Sequence, residues 1–183
     1  MGSCIGPGST LWAGQGEALK ANVTDIGDSK VLFKSGVDFE QRPIVVMVGA
    51  HLDPLVRSGD LERFLLFAVR EMQPIVASTY TMVYMHAEVG NNSGLSLDFV
   101  RQLHAALDPK HKDTLKAFYV VHPTMMLKMA TSGMAMLGAG ISRRVWRKAI
   151  YIDKLDDLFA CISPEQLYIP DFVWDHDRSL TNM

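Results

Sequence analysis

A chain of 183 residues with 48% hydrophobic side chains can bury one ordinary core, which favours a single domain. Its net charge of −2 argues against nucleic acid as a partner for the chain as a whole. Two cysteines, Cys4 and Cys161, are too few for a disulfide framework, so a reducing, cytoplasmic setting is expected. The longest apolar run falls far short of the ~20 residues of a membrane-spanning helix.

Residues 1–16 contain five glycines and Pro7 with little apolar content, and a flexible leader is expected over 1–38. Within it, Gly2 is a candidate myristoylation site and Cys4 a candidate palmitoylation site. Gly6 stands where the acylation motif has Ser or Thr, so an accidental match is the competing reading. A short helix or edge strand is expected between 17 and 38. The main domain is expected over 39–178, with a short tail at 179–183.

The continuous apolar run 43–49 predicts a strand buried on both faces. Ser58 is a candidate cap for a helix over 59–73, with Leu61, Phe64, Leu65, Ala68, Val69 and Met72 at helical spacing. A second strand is predicted at 79–86, a turn at 91–94, and a helix capped by Ser96 through Leu107. A third strand at 117–121 is broken by His122-Pro123, and a Met-rich helix follows over 124–137. A fourth strand is predicted at 148–152, and Ser163-Pro164 signals a short last helix.

Alternating strands and helices predict an α/β layered domain with a mainly parallel sheet and right-handed crossovers. Ligands of such sheets sit beyond the carboxyl ends of the strands, where His51, His86 and His122 fall, with Asp53 and Glu88 nearby. None of these has the close spacing of a zinc motif, so a metal site is not expected. No G-x-S-x-G elbow and no phosphate-binding glycine loop occurs. Cys161, among Leu158, Phe159 and Ile162, reads as a small core residue. A non-enzymatic protein without cofactor or metal is therefore expected.

Charge is distributed unevenly. Residues 114–152 carry six basic side chains and no acid, whereas 153–178 carry seven acids against Lys154 and Arg178. Met125, Met126, Met129, Met134, Met136 and Leu137 cover more than one helical face. They read either as core filler or as a soft flap over an apolar ligand, since Met repacks readily and Gly133, Gly138 and Gly140 weaken the helix. Arg143, Arg144, Arg147 and Lys148 read either as a solvated face or as a site for phosphate groups and anionic membrane.

The segment Lys116-Ala117-Phe118-Tyr119-Val120-Val121-His122-Pro123-Thr124 resembles the "K-A-x-Y-x-V-H-P-T" stretch of divergent CRAL-TRIO domains. These include BCH domains beside Rho GTPase-activating domains and modules that accompany macro domains. Arg42-Pro43-Ile44-Val45, the stretch from Tyr80 to His86, and Leu167-Tyr168-Ile169-Pro170 extend the resemblance over about 39–178. It implies a CRAL-TRIO-like fold that cradles a lipid or phospholipid between its sheet and a mobile gate helix, without catalysis. Placed on this chain, the gate falls on Met125, Met126, Met129, Met134, Met136 and Leu137, and the floor on Tyr84, Tyr119 and Val121. Docking on a membrane surface through the basic segment is the expectation that follows. The alternative is a protein-interaction scaffold that binds small Rho-type GTPases or forms a homodimer.

Overall fold

The computed structural model describes residues 22–90, 102–103, 106–107, 111–137, 145 and 147–181. A short helix α1 (Thr24–Asp28) leads into strand β1 (Leu32–Val37), which turns back on β2 (Pro43–Val48). Helices α2 (Gly49–Arg57) and α3 (Leu61–Met72) connect β2 to β3 (Tyr80–Met85). The short helix α4 (His111–Thr114) precedes β4 (Leu115–Val121), and α5 (Met125–Leu137) leads on to β5 (Ala149–Ile152). The chain finishes with α6 (Leu155–Phe159), a 3-10 turn (Pro164–Gln166) and α7 (Asp171–Thr181).

The five strands form one sheet in the order β1-β2-β3-β4-β5. β1 is antiparallel to β2, and the other neighbours are parallel. Because the parallel strands follow in sequence order, right-handed connections put their helices on one face. Side-chain packing agrees. Val45, Met47, Tyr80 and Met82 pack with Phe64, Phe67, Ala68 and Met72 of α3. On the opposite face Ile44, Val46, Val83, Met85 and Val121 pack with Leu155, Leu158, Ile162, Ile169 and Val173. Burial on both faces explains why β2, β3 and β4 are nearly unbroken apolar runs.

Residues 22–37, set in the leader by sequence, belong to the domain: Val23, Ile26, Val31 and Leu32 are all buried. Residues 1–21, with Gly2 and Cys4, lie outside the described residues. The helix predicted over 59–73 is observed as α3, and the sequence reading did not foresee α2, which precedes it. Ser58 closes α2, its hydroxyl donating to Leu55 O, and Asp60 stands at the start of α3. The predicted helix over 96–107 falls mostly outside the described residues, although Leu103 and Leu107 pack on the core. Ser163-Pro164 opens only the 3-10 turn, and the substantial last helix is α7, which runs past residue 178 to Thr181.

Candidate functional site

The carboxyl ends of the parallel strands meet the start of α5 and the middle of α7. His86 follows β3 directly, and its backbone N–H still donates to Val121 O at 3.0 Å. Its ring Nδ1 lies 3.0 Å from the Tyr84 hydroxyl, and its Nε2 lies 3.5 Å from Thr124 Oγ1. Burial, with the Asp53 charge nearby, pushes the Tyr84 hydroxyl well above its ordinary range, so it remains a donor. A Tyr84 proton given to Nδ1 leaves the His86 hydrogen on Nε2, facing Thr124. Thr124 Oγ1 also accepts the Leu127 N–H at 3.2 Å, so the same oxygen caps the first turn of α5.

His122 follows β4 directly with a φ of 52°, a left-handed conformation that costs an L-residue with a Cβ about 1 kcal/mol or more. It is held there from both sides. Its N–H donates to Ile152 O at 2.8 Å, and its Nε2 lies 2.9 Å from Asp177 Oδ1. Asp177 Oδ1 also accepts the Leu155 N–H at 2.8 Å, tying α7 to α6 and to the end of β4. The His122 side chain is only 1% exposed, and its Nδ1 has no hydrogen-bond partner. His176 completes the cluster, its ring 5.0 Å from His122 and its Nδ1 3.6 Å from Glu88 Oε1.

The electrostatics favour neutral imidazoles. Burial, helped by His176, lowers the pKa of His86 to about 4. Burial also lowers that of His122, against the opposing pull of Asp177. Burial alone would raise Asp177, but the Leu155 N–H and His122 outweigh it and keep the carboxylate ionised. An unfolded histidine titrates near 6.5. Stability from neutral His86 is therefore complete above about pH 6.5 and is lost as the pH falls toward 4. The melting temperature should be flat above pH 6.5 and fall below it, and His86→Gln should flatten the upper part of that fall. A pH series of thermal unfolding curves checks this.

Gly49 starts α2 beside the cluster. A Cβ there would lie 2.6 Å from Val89 Cγ2 and 2.7 Å from the Tyr84 hydroxyl oxygen. Gly49→Ala should cost about 2 kcal/mol in urea unfolding and displace Tyr84 from His86.

The structure separates the residues proposed as a pocket floor. Tyr84 is in register with Met47 and Val120, and Val120 with Tyr151, so all four share the face that carries α5. Tyr119 and Val121 pack on the opposite face, under α6 and α7. One pocket cannot be floored by all three. On the α5 side the sheet presents Tyr84 with Phe118, Val120 and Tyr151. Burial, with the Cys161 hydrogen bond, pushes the Tyr119 hydroxyl up to about 12, and this makes it a core donor.

The Met side chains also point elsewhere than expected. Met125, Met126 and Met129 are 72%, 68% and 71% exposed, facing away from the sheet. Among the described residues, α5 is held by polar contacts: besides Thr124, Lys128 Nζ reaches the exposed Asp153 Oδ1 at 2.7 Å, and the buried Thr131 hydroxyl is bonded to the Tyr151 hydroxyl. Sequence reasoning missed His86, Thr124 and Thr131 as anchors; the i, i+4, i+7 spacing of Thr124, Lys128 and Thr131 was the available signal. The side chains of Met134, Met136 and Leu137, and all of Arg143 and Arg144, lie outside the described residues. Arg147 is exposed, whereas Lys148 Nζ donates to Leu115 O at 2.5 Å at the far end of the sheet. Among the described residues, no three His, Cys, Asp or Glu side chains are placed to hold a metal ion.

Residues 41–179 match the profile of the divergent CRAL/TRIO domain. The chain belongs to this family. CRAL-TRIO domains are, in general, lipid-binding or lipid-transfer modules. The chain is 35% identical over 167 residues to ganglioside-induced differentiation-associated protein 2 of Danio rerio, covering 91% of this chain and 32% of that protein. It is 32% identical over 145 residues to the Rho GTPase-activating protein gacY of Dictyostelium discoideum, covering 79% of this chain and 19% of that protein. The chain thus spans about a third or less of the length of these curated relatives. The crystal structure of Sfh5 superposes with a TM-score of 0.63 at 11% identity, over 82% of this chain and 57% of that one. At that identity the likeness establishes a shared fold. The CRAL-TRIO-like α/β architecture expected from sequence is the one observed.

Proposed function

We propose that this domain is a non-enzymatic module that holds a lipid or phospholipid and docks on membranes from the cytoplasm, with α5 as the docking element. The observation that carries the reading is the outward stripe Met125, Met126 and Met129, about 70% exposed on a helix anchored by polar contacts. Large exposed apolar side chains grouped on one helix face mark an interaction surface. Met suits a lipid surface because its unbranched side chain adapts to irregular partners. A 13-residue helix is about 20 Å long. Lying flat on a bilayer, it sets its Met-bearing first turn into the interface, and the basic segment follows it in sequence. Each of Arg143, Arg144 and Arg147 then contributes about 1 kcal/mol on an anionic leaflet. Lys148, engaged with Leu115 O, contributes to the sheet instead. The lipid itself is assigned to the α5 side of the sheet, over Tyr84, Phe118, Val120 and Tyr151.

Co-sedimentation with phosphatidylserine-containing and pure phosphatidylcholine vesicles tests the docking. Preference for the anionic vesicles, lost at high salt and in the Arg143, Arg144 and Arg147 charge-reversal variant, is expected. Equal binding to both vesicle types by the wild type and the variant would overturn the basic docking face.

A second reading rests on the similarity to a Rho GTPase-activating protein. Here the domain is a scaffold for Rho-type small GTPases, or for itself through the edge strand β5, where Ile150 is 44% exposed. Recovery of nucleotide-loaded GTPase in a pull-down, without vesicle binding, would favour it.

A further inference from the structure

We propose that His86 is the latch of α5: while neutral it bridges Tyr84 to Thr124 and holds the helix's first turn on the sheet, and proton uptake releases that turn. In the first half of α5, Met125, Met126 and Met129 face outward, and among the described apolar side chains Leu127 alone is half-buried. Among the described residues its polar attachments are Thr124 to His86, Lys128 to Asp153, and Thr131 to Tyr151. Thr124 also caps the helix, its Oγ1 accepting the Leu127 N–H. Losing the His86 contact removes the tether that holds this capping residue on the sheet.

Protonation disrupts this bridge for a geometric reason. The neutral ring accepts at Nδ1 from Tyr84 and donates at Nε2 toward Thr124. An imidazolium has a hydrogen on both nitrogens, so Nδ1 no longer accepts, and the Tyr84 hydroxyl must give up its donation and turn its oxygen toward the ring. The new cation also lacks a carboxylate of its own among the described residues. Asp177 is taken by His122 and Leu155, Glu88 lies against His176, Asp153 holds Lys128, and Asp53 holds Arg57. His176 adds repulsion. A buried cation so placed moves toward water, and Thr124 loses its partner.

The inference rests on the docking reading and names its trigger. An anionic leaflet near −30 mV concentrates protons at its surface by about half a pH unit. The surface that attracts the basic segment would thus also favour release of the helix.

Amide hydrogen exchange on the whole chain, without lipid, at pH 7.5 and pH 5 and corrected for intrinsic rates, tests it. The amides of 126–131 are expected to exchange at least tenfold faster at pH 5, while those of β4 stay protected. In His86→Gln, which keeps a donor toward Thr124 but does not titrate, the acid increment should vanish. In Thr124→Val, exchange in 126–131 should be raised at both pH values with no further acid increment. Parallel loss of protection in α5 and β4 of the wild type would overturn the latch, as would an acid increment that survives in His86→Gln. Because no lipid is present, failure here leaves the docking reading intact, and failure of vesicle binding leaves the latch intact.

Discussion

Asp38→Ala is expected to cost about 3 kcal/mol of stability. The Asp38 side chain is 3% exposed and receives four donors. Its Oδ2 accepts from Thr81 Oγ1 at 2.6 Å and from Arg42 Nε at 2.7 Å. Its Oδ1 accepts from the Glu40 and Arg42 backbone N–H groups, each at 3.0 Å. These bonds close the turn between β1 and β2, where Gln41 has a φ of 62°. Alanine would strand the fully buried Thr81 hydroxyl and two backbone donors, and leave Arg42 with Glu40 as its ion-pair partner among the described residues. The cost sits at the low end for a broken buried pair because Arg42 is 22% exposed and keeps that partner. Thr81→Val, which removes one donor, should cost about 1 kcal/mol. Urea unfolding measures both, and a loss below 1 kcal/mol for Asp38→Ala would show that the carboxylate does not organise the hairpin.

Replacing Met125, Met126 and Met129 together by serine should weaken vesicle partitioning about a hundredfold and leave the fold unchanged. Full burial of a Met side chain is worth about 1.5–3 kcal/mol, and immersion at an interface realises part of that. About 1 kcal/mol from each gives about 3 kcal/mol, and each 1.4 kcal/mol is tenfold in affinity. Stability should not change measurably, because about 70% of each side chain already faces water. That separation of effects is diagnostic. Weaker partitioning with an unchanged melting temperature places the Met stripe on the docking face. Unchanged partitioning would move the docking surface off α5.

Much of the fold was legible because burial on both faces leaves unbroken apolar runs. β2, β3, β4 and β5 begin and end within two residues of where the runs do. The Met-rich helix was equally plain, and the His122-Pro123 corner marked the family. β1 was harder to read, since Lys34, Ser35 and Gly36 interrupt it. Gly36 is required by close packing, a Cβ there lying 2.9 Å from Gln166 Cα, and that demand comes from 130 residues away. α2 was missed because it starts directly from β2 with no side-chain cap.

Which face each side chain takes was not legible at all. Tyr84 and Tyr119 both read as floor residues, yet the register pairs Tyr84 with Val120. That parity depends on an irregularity between Tyr80 and Thr81, set by tertiary packing. The direction of the Met residues was misjudged for a related reason. A helix apolar nearly all round gives no moment to orient it, and the three polar anchors decide which side faces in.

The central claim is that the domain holds a lipid. Native mass spectrometry of the whole chain, after incubation with mixed phosphatidylcholine and phosphatidylserine vesicles and removal of the vesicles by gel filtration, tests it most directly. The account predicts a species heavier than the bare chain by one lipid, with the same lipid recovered in a solvent extract. The bare mass alone, with no lipid in the extract, would contradict it.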